Sequence, residues 1–348
     1  MEVLIVIDSW KGSLSSREAN EAARCGVLDA IPDATVRCQS VSDGGEGFLE
    51  AVKETGEYES VSVEVADPLM RPVRARFLMR GHQAVIEMAQ ANGLGLLSPE
   101  ERDPLRASSY GTGQLIAEAI RRGATDILVG LGGSATSDCG KGALQALGSL
   151  RPHSLTLATD VANPLLGPCG AAAVFARQKA VPELSDAAIH GMIDELEARA
   201  AAFVRHNASL HGYDRSAEPG AGAAGGLGYA FMQYFDARRI SGADFILRNI
   251  TPGKATLLIT GEGCADAQTL MGKLPYAILQ RAKVWRLPVI LLAGQVRDRS
   301  ALLEAGFSQV LPVNPPDSPL EECLRPDIAA DRIRQTVARA LRTFRRPT

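Results

Sequence analysis

Short aliphatic runs in this chain end repeatedly in loops of glycine and carboxylate residues, and each loop hands over to a helical pattern. Met1 to Ile7 runs into Asp8-Ser9-Trp10-Lys11-Gly12-Ser13. Ser13 or Ser15 then caps a helix over Arg17 to Ala30, with Glu18 at capping-box distance from Ser15. Pro32 and Asp33 turn the chain into a second strand, Thr35 to Val41, which ends in Ser42-Asp43-Gly44-Gly45-Glu46-Gly47 before a helix over Phe48 to Glu54. Asp126 to Leu131 repeats the theme: Gly132 and Gly133 stop the strand, Ser134 and Thr136 follow as caps, and a helical pattern resumes through Leu144 and Leu147. Strand–loop–helix units in succession predict a parallel α/β sheet with its loops at one edge.

The pattern changes near Gly56. Val61 to Val65, Val73 to Met79 and Ala84 to Met88 read as strands with short connections, which suits a meander or mixed sheet. A helix over Gly111 to Arg122 precedes the Asp126 strand, and Leu155 to Asp160 is a further strand leaving through Asp160-Val161-Ala162-Asn163-Pro164. Ser185 to Asn207 is a long alanine-rich helix, and Pro219 to Gly226 leads into another over Leu227 to Tyr234. From Thr256 the parallel style returns. Thr256 to Thr260 exits into Gly261-Glu262-Gly263, Pro288 to Ala293 exits into Gly294-Gln295, and Gln309 to Val313 precedes a proline-rich loop and a C-terminal helix. A length of 348 residues is too great for one small core. The expected fold class is α/β with two α/β domains. One is a Rossmann-like parallel-sheet domain built from both chain ends, residues 1–60 and 251–348; the other is an inserted mixed-sheet α/β domain, residues 61–250.

Charge and cysteine usage exclude several classes. A net charge of −3, with no basic run interleaved with aromatics, gives no footprint for nucleic acid. No apolar run reaches membrane-spanning length, and the run Val3 to Ile7 meets Asp8 too early, without a basic flank, for a signal peptide. The expectation is a soluble, cytoplasmic protein with no membrane partner. The six cysteines form no C-x-x-C pair and read as reduced thiols. Cys139 and Cys264 lie in candidate site loops and are expected to react with thiol reagents without being catalytic.

The glycine turn after Leu131, read at a helix N-terminus, would aim bare amides and the positive end of the helix dipole at a phosphate. The alternative is a tight connection whose glycines only make the turn. It is no Walker A loop, because Gly140-Lys141 is followed by Gly142 and Gly272-Lys273 by Leu274. Gly130 to Ala135 fits the looser G-x-G-x-x-A dinucleotide fingerprint, with Asp160 closing the next strand where a ribose-binding acid would sit. An NAD(P)-dependent oxidoreductase therefore stays open. The five histidines lie outside every glycine-rich loop and read as ordinary surface or core residues. Carboxylates stand at the strand exits instead: Asp8, Asp43, Glu46, Asp160, Glu262 and Asp266. Each alone suits helix capping; six together suit Mg²⁺ binding and acceptance of a hydroxyl proton, as phosphoryl transfer requires. Lys11, Lys179 and Lys273 lie in or beside these loops, where an ammonium neutralises transferring phosphate charge.

Several loops match one family in order: Asp8 to Leu14, Asp43 to Gly47, Asp67-Pro68-Leu69, Tyr110 to Gly113, Gly130 to Thr136, Asp160 to Leu165, Gln178-Lys179, Gly220 to Gly226, and Thr260 to Gly263 with Asp266, Gln268-Thr269 and Gly272-Lys273. Together they resemble the bacterial glycerate kinases of the first class, from the N-terminus to about Gly306. The resemblance implies two α/β domains with the active site in the cleft, ATP and Mg²⁺ as cofactors, and D-glycerate as the small-molecule substrate, phosphorylated mostly at the 2-hydroxyl. Within it, loop position and residue type put Ser9, Lys11, Asp43, Glu46 and Arg71 on the substrate, with Lys11 holding its carboxylate or the transferring phosphoryl. Gly132, Gly133, Ser134, Thr136 and Lys273 fall to the nucleotide phosphates, and Glu262 and Asp266 to the metal. Asp160 is the expected base, with Asp43 second and Lys11 beside them as a catalytic residue; the carboxylate roles remain interchangeable at this point. Cys264 stands where the family carries arginine and Ser137 where it carries asparagine, which leaves room for a member that binds a sugar acid without turning it over. For assembly the expectation extends no further than a homodimer.

Overall fold

The computed structural model describes residues 1–10, 12–271 and 273–343. Its strands are β1 (Glu2–Ile7), β2 (Thr35–Cys38), β3 (Glu59–Ala66), β4 (Pro72–Arg80), β5 (Gln83–Glu87), β6 (Asp126–Gly130), β7 (Ser154–Ala158), β8 (Arg238–Ile240), β9 (Leu257–Ala265), β10 (Val289–Val296) and β11 (Gln309–Pro312). Its helices are α1 (Ser16–Ala30), α2 (Phe48–Lys53), α3 (Ala89–Asn92), α4 (Tyr110–Arg121), α5 (Lys141–Leu147), α6 (Ala171–Phe175), α7 (Asp186–His211), α8 (Ala223–Phe235), α9 (Gly242–Arg248), α10 (Leu274–Trp285), α11 (Arg299–Ala305), α12 (Leu320–Cys323) and α13 (Pro326–Thr343). Among the described residues no helix is long and apolar enough to cross a membrane. The chain forms two compact units, Met1–Ser42 with Glu50–Thr55 and Ile246–Thr348, and Asp43–Leu49 with Gly56–Phe245.

The first unit carries a Rossmann-like sheet of five parallel strands in the order β11-β10-β9-β1-β2. Val3 pairs with Val36 on one side and with Leu257, from the other end of the chain, on the other. Val3 to Ile7 are each at most 1% exposed, as a parallel strand covered on both faces requires. The Ser15 capping box is present: the Ser15 hydroxyl accepts from the Glu18 amide at 3.3 Å, and the Glu18 carboxylate accepts from the Ser15 amide at 2.8 Å. One turn apart on the buried side of α1, Ser16 and Asn20 fasten the strand ends. The Ser16 hydroxyl donates to the Ile7 carbonyl at 2.5 Å and accepts from Val41 N at 3.0 Å, while Asn20 accepts from Ile7 N at 2.9 Å and donates to the Gln39 carbonyl at 3.0 Å. α1 and α13 touch backbone to backbone at Gly26, where a Cβ would come within 2.3 Å of the Arg334 carbonyl. The sequence ends β9 and β10 too early. Ala293, Gln295 and Val296 keep pairing with Glu262, Cys264 and Ala265, so the ladder continues and Glu262 is a strand residue rather than part of an exit loop.

The second unit carries a mixed sheet in the order β3-β4-β5-β6-β7-β8. β3, β4 and β5 form an antiparallel meander, and β5 to β8 run parallel. Its core joins Phe77, Ile86 and Val129 from the sheet to Leu115, Leu227 and Phe231 from α4 and α8. β8 and α9 are not anticipated by the sequence reading, which passes from the Tyr234 helix straight to Thr256. Two further differences concern the loops. α5 starts at Lys141 with Gly140 as its N-cap residue, so Ser134 and Thr136 cap no helix. Left-handed Cys139 and Gly140 (φ 56° and 72°), and an Asp138 carboxylate that takes the Gly140 and Gly142 amides at 3.0 and 3.1 Å, hold the chain in a turn until then. α8 likewise becomes helical only beyond Gly226, because Ala224, Gly225 and Gly226 all have positive φ.

Candidate active site

In the first unit the candidate residues gather at the C-terminal ends of β1 and β9, the edge at which parallel α/β sheets bind ligands. Asp8 continues the ladder through its amide, which donates to the Gly261 carbonyl at 3.0 Å, and its carboxylate accepts from Ser9 N at 2.7 Å. Glu262 is 7% exposed and accepts from the Thr269 hydroxyl at 2.6 Å. Burial raises its pKa; the Thr269 bond and the Lys273 charge oppose that, and the neighbouring charges of Asp8 and Asp266 add to it. The Lys273 ammonium lies 3.6 Å from Glu262 and 3.7 Å from Asp266, so three expected site residues form one cluster. Asp266 is held in turn by the Gln268 amide at 2.9 Å. Among the described residues no set of three or more His, Cys, Asp or Glu side chains is arranged to hold a metal ion.

In the second unit the loop Asp43–Gly47 lies against the ends of β6 and β7. The Gly132 amide donates to the Gly44 carbonyl at 2.9 Å. Cβ atoms would come within 2.1 Å of the Ala158 carbonyl at Gly44 and within 2.3 Å of Gly45 Cα at Gly132, so these glycines are required by backbone-to-backbone contact. Asp160, just past β7, keeps an exposed edge, yet the protein crowded around its carboxyl raises its pKa. A hydrogen bond from Ser241 opposes the shift, and the charges of Asp43 and Asp244 reinforce it. Asp43 and Asp160 are therefore electrostatic neighbours.

The glycine turn does not sit at a helix N-terminus, since α5 begins eight residues after Gly133 by residue number. No helix dipole therefore points at a phosphate from this turn, and the strand–turn–helix arrangement that the dinucleotide fingerprint over Gly130 to Ala135 needs is not formed there. What remains is a turn with spare donors. Ser134 Oγ accepts from Thr136 N at 3.0 Å and Ala135 N donates to the Asn92 carbonyl at 2.9 Å. Among the described residues nothing accepts from the amides of Gly133 and Ser134. Gly133 is exposed and left-handed (φ 71°), a conformation that recurs in anion-binding turns.

The other expected residues fall as follows. Lys11 lies outside the described residues. Ser9 is exposed at the end of β1, in the first unit, whereas Asp43 and Glu46 are exposed in the second. Arg71 has both ends of its guanidinium engaged, with Asp67 at 2.6 Å and Glu101 at 2.6 Å, and Asp67 also accepts from the Leu69 and Arg71 amides. It braces that turn rather than offering a free fork. Lys179 is only 3% exposed, and its ammonium is spent on the Thr136 carbonyl at 2.6 Å. Cys139 is buried and its thiol is pushed up to about 12 by burial, which removes the expected reactivity toward thiol reagents at that position.

Two groups escaped the sequence reading. Glu87 ends β5 at 1% exposure, accepts from Leu49 N at 3.0 Å and from Gln90 at 3.3 Å, and has its pKa raised by burial with a further push from Glu46. A carboxylate closing the apolar run Ala84-Val85-Ile86 is the signal that could have found it. Asn92, 0% exposed, accepts from the Thr112 amide and hydroxyl and donates to the Ser108 carbonyl, so it ties α4 to the same turn. Its spacing in the sequence carries no such signal.

Known proteins resemble this chain over most of its length. The chain matches the profile of the Glycerate kinase family over residues 3–151 and 149–345. It is 37% identical to a glycerate kinase of Bacillus subtilis (strain 168), covering 92% of each chain, and 34% identical to a glycerate 2-kinase of Escherichia coli (strain K12), covering 93% of each. A crystal structure from Salmonella typhimurium LT2 designated glycerate kinase 2 superposes with a TM-score of 0.77 at 33% identity, covering 99% of this chain and 98% of that one. A family match over nearly the whole chain, with identity of this order over nine-tenths of the length, is decisive: the chain belongs to the glycerate kinase family.

Proposed function

We propose that this protein transfers the γ-phosphoryl group of ATP to the 2-hydroxyl of D-glycerate, giving 2-phosphoglycerate and ADP. Family membership makes it a kinase that acts on glycerate and uses ATP. The name of the Escherichia coli relative supports the 2-position. The observation that carries the reading is Asp160, a carboxyl of raised pKa at a strand end beside Asp43 and close in sequence to no other expected site residue. A carboxylate whose pKa is lifted toward the working pH accepts a proton more effectively than an ordinary one. In the reaction the substrate hydroxyl oxygen bonds to the γ-phosphorus as the bond to the β-phosphate oxygen breaks. The hydroxyl proton passes to Asp160, and ADP leaves.

Asp43 orders its own loop by accepting from the Gly45 amide at 3.1 Å and, with Glu46, takes the substrate hydroxyls. Ser9 and Lys11 take the glycerate carboxylate. The free amides of the Gly132–Thr136 turn and the Lys273 ammonium take nucleotide phosphates, since phosphoryl transfer leaves the protein chiefly positioning and charge stabilisation to supply. Mg²⁺ is usually held by one or two carboxylates with the remaining positions filled by phosphate oxygens and water. Glu262 and Asp266 supply that number of hard oxygen donors, and their shared partner Lys273 offsets part of their charge. When bound, the ion would neutralise charge on the phosphates.

The test is ADP release from Mg-ATP with D-glycerate, set against L-glycerate, glycolate and no acceptor, followed by phosphorus NMR of the product. D-glycerate-dependent turnover with the phosphate on C2 is the expected result. Thermal stabilisation by D-glycerate without ADP release would make the protein a sugar-acid binder. Stabilisation by NADH, with none by ATP, would sink the kinase reading.

A further inference from the structure

We propose that Lys179 is a positioning residue for the nucleotide phosphates, fixing the Thr136 carbonyl so that the preceding turn keeps its Gly133 and Ser134 amides free as anion donors. This rests on the reading of Gly132–Thr136 as the phosphate cradle. Lys179 closes a short helical turn, Arg177–Lys179, that follows α6. Its Nζ donates to the Thr136 carbonyl at 2.6 Å, the one hydrogen bond it makes among the described residues. The same carbonyl meets Gly225 from another side, where a Cβ would lie 2.0 Å away, and the Gly225 carbonyl accepts from Cys139 N at 3.0 Å. Thr136 is thus fixed by the lysine and by the glycine turn before α8. The segment ahead of it is committed almost group by group: Leu94 N donates to the Gly133 carbonyl at 2.8 Å, Ala135 N to Asn92, and Thr136 N to Ser134 Oγ. Among the described residues the amides of Gly133 and Ser134 are the two in this turn that find no acceptor.

An ammonium buried against a single neutral carbonyl is an unfavourable way to fill a core. Desolvation is the larger influence on Lys179 and pushes its pKa down to about 8, while the Asp138 charge opposes it. Methionine in its place removes that desolvation cost but withdraws a donor from the Thr136 carbonyl, which the Ser134 hydroxyl still reaches at 3.4 Å. A purely structural account needs a donor here but no charge, whereas an immovable Thr136 beneath an anion cradle is served by both. Preorganised donors bind developing phosphate charge without reorganising, and small misplacements of such groups are expensive.

The experiment compares wild type, Lys179→Met and Gly133→Ala as full-length proteins, varying MgATP and D-glycerate separately and recording melting temperatures. For Lys179→Met the KM for MgATP should rise about tenfold while the KM for D-glycerate stays within about twofold and the melting temperature falls by no more than about 4 °C. An unchanged KM for MgATP, or parallel rises in both KM values, overturns the proposal. A methionine variant that melts much earlier or fails to fold also overturns it, since the lysine would then serve the core itself. Gly133→Ala strains the left-handed turn directly. If it raises the KM for MgATP and Lys179→Met does not, the cradle reading stands and only the lysine's role fails; if it leaves that KM unchanged, both fall.

Discussion

Asp160 shows how little a residue's identity says about its chemistry until its surroundings are known. An aspartate ordinarily titrates near 3.9 and is a poor proton acceptor at neutral pH. Here burial, with Asp43 and Asp244 nearby, raises the value. Because the base form is lost as pH falls through that raised value, the acid limb of kcat should lie above the ordinary aspartate range. Asp160→Asn should lower kcat by about 10²- to 10⁴-fold and abolish that limb, with an unchanged urea midpoint. Near wild-type turnover, or a limb that persists in the variant, would remove Asp160 as the base and transfer attention to Asp43. The sequence made Asp160 visible because it ends a strand beside Asn163-Pro164; it could not show the desolvation, the charge of Asp43 or the Ser241 hydrogen bond, which reach it from distant positions in the chain.

Among elements, helices were the most legible and the loops beside them the least. α1 follows its capping box, and the long α7 starts after Ser185, whose hydroxyl accepts from Ala188 N at 3.3 Å. Both signals act within one turn of the chain, so the local sequence contains them. The delayed start of α5 depends on Asp138, which also accepts from the amide and hydroxyl of Ser109 at 2.9 and 2.8 Å, a partner 29 positions away. No local pattern reports such a contact. Packing between elements gives a sharp test at Gly26. Alanine is the better helix former by about 1 kcal/mol, yet here its Cβ would strike the α13 backbone. Gly26→Ala should destabilise by about 1–3 kcal/mol in urea unfolding; a gain in stability would show that α1 and α13 are free to separate.

For the whole molecule, the topology makes the first unit depend on the end of the chain. Ala329, Ile333, Val337 and Leu341 of α13 are 0%, 0%, 1% and 6% exposed and share one core with β1, α1 and Trp10. A chain truncated after Arg325 would uncover that face. It should lose the cooperative unfolding of the first unit and shift tryptophan emission to the red; native-like emission with an unchanged midpoint would mean that α13 is dispensable. Both tryptophans, Trp10 and Trp285, belong to this unit, so the signal reports on it alone.

The sequence by itself determined the α/β class, the parallel sheet built from both chain ends, the mixed sheet inserted between them, and the family, because strand composition, helix caps and the order of the glycine loops are local properties read along one dimension. Tertiary structure decided what the loops can do. It carried β9 and β10 past their expected ends and made Glu262 a strand residue. It withdrew the helix dipole from the Gly132–Thr136 turn while leaving two amides there unspent, engaged Arg71 in ion pairs, buried Lys179 and raised the pKa of Asp160. Each of these depends on which distant backbone carbonyls, amides and charges share a site, and on how much water they exclude. Those are properties of the folded chain, not of any stretch of it.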